Sequence, residues 1–159
     1  MFFKSILVIV AINLISDPAK AVALMVQSLC SDRLILSSNI PVNANDNVGI
    51  ITIKALDLSS LAYIGSVEGI TSIDNSPTGN NAVEVISPTQ MRAYGWCYSV
   101  NDIQPDAMPN EVKIISNNDI VHWYFGYAEY SDGEWISYCT PTHLTRPDFI
   151  CAKEATSGE

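Results

Sequence analysis

The chain has 159 residues, with 17 acidic side chains against 8 basic ones and a formal charge of −9. Such a surface repels phosphate backbones and anionic lipid headgroups, which argues against nucleic-acid binding and docking through a polybasic patch. The length suffices for one domain with a real core.

In chain order, residues 1–21 read as a secretory signal peptide. Lys4 gives a positive start, Ile6 to Ile15 form an apolar run, and Ala19-Lys20-Ala21 supplies a small-x-small cleavage site. The run is interrupted by Asn13 and is too short to span a bilayer. No insertion in a membrane is expected after cleavage, and the expected location is secreted or periplasmic. Cys30, Cys97, Cys139 and Cys151 all lie beyond this segment. An even count in an exported chain implies two disulfides, and no Cys-x-x-Cys pair suggests a metal. Of three possible pairings, the short Cys139–Cys151 loop with Pro141 and Pro147 favours a clasp there, leaving Cys30 with Cys97.

Val22 to Leu29 and Leu34 to Val42 read as a hairpin turning at Ser31-Asp32. Val48 to Leu58 is ambiguous by itself: it is β-branched enough for a strand, yet Val48, Ile51, Ala55 and Leu58 repeat at helical spacing behind a cap-rich loop. Leu61 to Ile73 reads as an irregular strand broken near Gly65 and Gly69, and Asp74 to Asn81 as a loop. Val83 to Ile86 forms a short strand, with Ser87-Pro88-Thr89-Gln90 as a helical turn. Strands are expected at Tyr94 to Val100, at Val112 to Ile115 and at Ile120 to Tyr130. A tight Ser131-Asp132-Gly133 turn leads into a returning strand to Tyr138, after which the chain reads as irregular.

The segment Gly95-Trp96-x-Tyr98-Ser99-Val100-Asn101, then Pro105, then Asn118-Asp119-Ile120-Val121-x-Trp123-x-Phe125 resembles the transcobalamin-like C-terminal domain. That family is a β-grasp module, present as the small domain of transcobalamin and intrinsic factor and in exported bacterial proteins. Asn101-Asp102 and Asn118-Asp119 stand where the family has Asn-Gly and Gly-Asp, and Asn75 where it has a glycine. Asn and Asp tolerate left-handed turns, so these departures are mild. The resemblance implies a helix at 48–58, a domain over 22–128, and leaves 129–159 as a hairpin and disulfide-clasped extension.

Catalytic readings are weak. Thiol chemistry needs a free cysteine near His122 or His143, and exported cysteines in even number are oxidised. Two histidines this far apart in sequence make a poor zinc set, so no metal and no cofactor are expected. Asp119, Glu129, Asp132 and Glu134 sit at or near turns, where acids serve solubility, although a glycosidase would use such a pair. The aromatics are the better candidates. Trp96 and Trp123 are expected in the core, and Tyr98, Tyr124, Tyr130, Trp135 and Tyr138 to contact a ligand from the outer sheet face or hairpin.

The expected molecule is therefore an α+β, β-grasp-like domain: a mixed sheet on one helix with a C-terminal β-hairpin extension. Its expected role is non-catalytic binding of a small ligand such as a corrinoid. The alternative is a protein-protein interaction module that presents the Ile120–Tyr138 hairpin to another exported protein.

Overall fold

The computed structural model describes residues 20–156, with side chains to Ala152. The signal-type segment therefore lies outside the described residues except for Lys20 and Ala21. The fold is α+β. Strands β1 (Ala21–Gln27) and β2 (Leu34–Pro41) form the expected hairpin. Helix α1 (Val48–Leu58) follows, then the ribbon β3 (Tyr63–Ser66) and β4 (Gly69–Ile73), and then β5 (Val83–Ser87) and β6 (Gln90–Val100). The long β7 (Ile120–Ser131) and β8 (Glu134–Pro141) precede α2 (Thr142–Thr145) and α3 (Asp148–Thr156).

The main sheet has the order β2-β1-β7-β6-β5, with β8 also beside β7. It is mixed, because β1 runs parallel to the start of β7 while its other pairings are antiparallel. A parallel pair cannot be closed by a tight turn, so the chain between β1 and β7 must cross over, and α1 lies in that crossover. β3 and β4 form a separate ribbon.

Helix α1 resolves the ambiguity of residues 48–58. Asn47 caps it, its side chain accepting from Ile50 N at 2.8 Å. Val48, Ile51, Thr52, Ala55 and Leu56 are buried against Val22, Leu24 and Val26 of β1 and Trp123 of β7. The expected face is corrected at its end: Leu58 is 77% exposed and Leu56 is buried instead. Gly49 is required by proximity, since a Cβ there would stand 2.0 Å from Val67 O in the β3–β4 turn.

Three other expectations are corrected. Pro88-Thr89 is the tight turn of the β5–β6 hairpin, not a helical turn. Val112 to Ile115 makes no strand; it is held against the entry to α1 by Val48 N to Val112 O (2.9 Å) and an Asn47–Lys113 bridge. The C-terminal segment is not irregular. Helix α3 packs Phe149 and Ile150 against Tyr94, Phe125 and Tyr127, forming a second apolar cluster. It is weakly amphipathic, so its sequence gave little sign of it.

The disulfides are Cys30–Cys151 and Cys97–Cys139, which overturns the expected pairing of Cys139 with Cys151 and Cys30 with Cys97. The reason is the path of β8. It bulges against β7 and crosses over Gly126, where a Cβ would meet Cys139 backbone at 3.2–3.3 Å. That crossing brings Cys139 to Cys97 with a Cα separation of 5.9 Å, and leaves Cys151 on α3 to meet Cys30 beside the first hairpin.

Candidate functional site

Opposed residues of an antiparallel pair share a face. The β6–β7 register pairs Tyr94 with Tyr127, Trp96 with Phe125 and Tyr98 with Trp123, and these point inward. Trp123 is buried, and its Nε1 donates to Thr52 Oγ1 of α1 at 2.8 Å. Trp96 is half-buried, donating to Ser76 Oγ at 2.8 Å. Tyr98 belongs with them. It is buried, its ring lies 5.2 Å from that of Trp123, and its hydroxyl donates to Ala107 O at 2.7 Å. Its expected place on an outer surface is corrected, because the alternation that turns Trp96 inward turns Tyr98 inward too.

The opposite face carries Met91, Ala93, Gly95, Cys97 and Ser99 from β6 against Tyr130, Ala128, Gly126, Tyr124 and His122 from β7. The C-terminal extension covers one half of it. Cys139 lies over Gly126, and Thr142 Oγ1 sits within hydrogen-bonding reach of Leu29 O and Phe125 O. Tyr124 is buried beneath this cover, its ring 6.4 Å from that of His143, so it too is removed from the exposed surface.

His122 and His143 stand 6.4 Å apart under the same cover. The Gln27 amide nitrogen donates to Ser31 O (2.8 Å) and Arg33 O (3.2 Å), which turns its oxygen toward His122 Nε2 at 3.3 Å. His122 is therefore the Nε2–H donor. Burial, then the neighbouring His143, pushes its pKa below the usual imidazole value, against a smaller opposing pull from Asp102. Burial likewise lowers His143, against a pull from Asp32, and its buried Nδ1 has no hydrogen-bond partner among the described residues.

The other half of the face is open, and there three of the five expected residues meet. The Tyr130 and Trp135 rings are 5.4 Å apart, edge to face, and Tyr138 follows at 6.4 Å from Trp135. Trp135 is 41% and Tyr138 66% exposed. Beside this corner lie Ala93, Gly95 and Ala128, small side chains that make a flat floor; a Cβ on Gly95 would touch nothing. On the far side Tyr138 borders a hollow of about 380 Å³ with Gln104, Pro105 and Asp106. The floor was not among the expected residues. Its signal is the alternation of small side chains along β6, at Ala93, Gly95 and Cys97.

Among the described residues no cysteine is free, and no cluster of three or more His, Cys, Asp or Glu is placed to hold a metal. Burial raises the pKa of Asp119, but Asn101 and the amides of Ser116 and Ile115 outweigh it and hold the carboxylate below its usual range. Glu129 is paired with Arg92 at 2.9 Å. Among the described residues no helix is long and apolar enough to cross a membrane.

The geometry defines a curled mixed sheet, packed on a crossover helix and clasped by two disulfides. The pattern of one family, described as a domain of unknown function (DUF4430), matches residues 38–127, more than half of the chain. The chain belongs to that family. No curated protein matches it. The matched part ends within β7, so β8, α2, α3 and the aromatic corner are built largely from residues beyond it.

Proposed function

We propose that this is an exported, non-catalytic binding domain of the transcobalamin-like kind, which takes a flat small ligand such as a corrinoid on its open outer face. The observation that carries this reading is the Tyr130–Trp135–Tyr138 corner standing beside the floor of Ala93, Gly95 and Ala128. Aromatic rings with polar tips beside a flat apolar floor suit a planar ring system, which stacks on one surface and hydrogen-bonds at its rim. Export is supported by the signal-type residues 1–21 and by two disulfides. One open face covers only one side of a corrin, so the affinity is modest and a second component would complete the enclosure.

The test is a titration of the protein with cyanocobalamin, followed by tryptophan fluorescence and calorimetry. Saturable binding is expected below about 1 mM, lost in Trp135→Ala. No response in the wild type up to that concentration removes the corrinoid reading.

A second reading, a protein-interaction module, is favoured by exposed apolar side chains near the aromatic corner. Val85, 74% exposed, borders a hollow with Tyr130, and Ile136, 59% exposed, follows Trp135 on β8. Such side chains fit a partner's apolar anchor. Capture of an exported partner that is lost in both Trp135→Ala and Ile136→Asp distinguishes it from the ligand reading.

A further inference from the structure

The main sheet ends in β2, which has β1 on one side and no strand on the other among the described residues. The β1–β2 register runs without a shift from Pro41 opposite Ala21 to Leu36 opposite Val26, and just beyond it Val42 N donates to Lys20 O at 2.9 Å. Hydrogen-bonded pairs alternate along an antiparallel ladder, so Ile40, Ser38 and Leu36 bond inward to β1. Ser37 and Asn39 therefore turn their N–H and C=O groups away from the sheet, and neither N–H has a partner among the described residues. Both residues are exposed. Pro41, the next outward position, has no N–H to leave unpaired.

Natural domains block an edge they do not use with charge, a bulge or a covering segment. β2 carries no charged residue. Its one irregularity falls at its start, opposite Val26 and Gln27, and leaves residues 36–41 regular. Helix α1 packs on the core face of the hairpin, where Leu36, Ser38 and Ile40 stand opposite Val26, Leu24 and Val22. Ile40 and Pro41 border a hollow of about 380 Å³ with Lys54, Asp57 and Leu58 of α1, and Leu58 is 77% exposed.

We propose that β2 pairs antiparallel with β2 of a second copy of this chain, about a two-fold axis at Ser38, so that two sheets become one. This register sets Ser37 opposite Asn39 of the second copy and the reverse, which makes about four backbone hydrogen bonds from the outward groups. Ser38 faces its own copy at the axis, and Leu36 falls opposite Ile40 of the second copy, beside the hollow that Leu58 borders. A two-fold contact must be self-complementary, and this one opposes no like charges along the strand. The ends add a charge match. Arg33 lies toward Pro41 and Asn43 of the second copy, which line the hollow with Asp57. Lys54 there is already held by Asp46 at 2.6 Å, whereas Arg33 and Asp57 form no ion pair among the described residues. The formal charge of −9 on each chain repels at long range, but screening within about 8 Å at physiological salt leaves the local contact to decide.

The experiment is sedimentation equilibrium with backbone amide exchange by NMR, on the oxidised protein as exported, at physiological salt. A monomer–dimer equilibrium that stops at the dimer is expected. Exchange at Ser37 and Asn39 should slow about ten-fold or more as the concentration rises toward about 1 mM, while Ser38 and Ile40, already bonded to β1, stay unchanged. Ser37→Lys puts a charge on the edge and should raise the dissociation constant about ten-fold or more. Asn39→Pro removes an outward N–H, leaves the β1 ladder whole, and should do the same with an unchanged near-UV spectrum. Arg33→Asp should weaken the dimer about three-fold, and adding Asp57→Arg should restore it. Trp135→Ala should leave pairing intact, which separates this edge from the outer-face site. A monomer at every concentration, a dimer indifferent to both edge variants, or growth beyond the dimer overturns the proposal. Protection of Ser37 and Asn39 that appears only on adding other exported proteins of the host overturns it in favour of a different partner.

Discussion

Asn101 and Asp119, at opposite ends of the connection between β6 and β7, are joined by a hydrogen bond of 3.0 Å from the Asn101 amide to the Asp119 carboxylate. The same carboxylate accepts from Ile115 N and Ser116 N, each at 2.9 Å, and the Asn101 carbonyl accepts from Ile120 N at 2.9 Å. The latch closes the whole connection and aligns Tyr98 with Trp123. Asp119→Ala strands these donors near the surface of the core and should cost about 2 kcal/mol, read as a lower urea midpoint with an unchanged slope. Because the Asp119 pKa lies below its unfolded value, the latch is fully effective above about pH 4 and is lost as pH falls through the folded value.

Trp123 and Thr52 tie the sheet to α1, and Thr52 Oγ1 in turn donates to Val48 O at 2.7 Å. Trp123→Phe removes the indole donor and leaves a gap, a loss of about 2–3 kcal/mol. Thr52→Val alone should cost about 1 kcal/mol. A double-mutant cycle by denaturant melts should give a coupling near 1 kcal/mol; a value of zero would mean that the bond contributes nothing.

Gly95 and Gly126 face each other across β6 and β7, yet alanine should act differently at the two. At Gly126 the new methyl meets the Cys139 and Thr140 backbone, which the disulfide holds in place, and about 1–3 kcal/mol of stability is lost. At Gly95 it meets nothing, so thermal stability should stay within about 0.5 kcal/mol.

His122 and His143 give the fold an acid-side weakness. Both pKa values are lowered in the fold, so the unfolded chain binds more protons, and stability rises with pH through the window below about 6.5. The stabilisation is complete above that value and is lost as pH falls toward the folded pKa values. Thermal melts between pH 7.5 and 5 should show a falling midpoint, and a His122→Gln, His143→Gln variant a flatter profile.

Removing the Cys30–Cys151 bond, by alanine at both positions, should cost about 4 kcal/mol, because it closes a loop with a sequence separation of 121 residues. The Cys97–Cys139 bond spans 42 residues and should cost roughly 1 kcal/mol less. Urea melts of the two double variants give the comparison directly.

What the sequence made legible was local. The caps before Val48, the Ser131-Asp132-Gly133 turn and the aromatic alternation of β6 and β7 each settle within a few residues, and Asp132 and Gly133 adopt the positive φ their types favour. The pairing of cysteines depends on β8 crossing over Gly126, a contact no neighbouring residue announces. Helix α3 has almost no apolar stripe and is held by Phe149, Ile150 and a sulphur bridge. Of the candidate site, Tyr130, Trp135 and Tyr138 were visible as a hairpin cluster. The burial of Tyr124 was not, because the extension that hides it arrives from the far end of the chain.

Cys30 must wait through 121 further positions before its native mate exists. During synthesis it meets Cys97 and then Cys139 first, and those two belong to each other. Any Cys30–Cys97 or Cys30–Cys139 bond formed while the chain emerges must be undone by thiol exchange before both mature cross-links can exist.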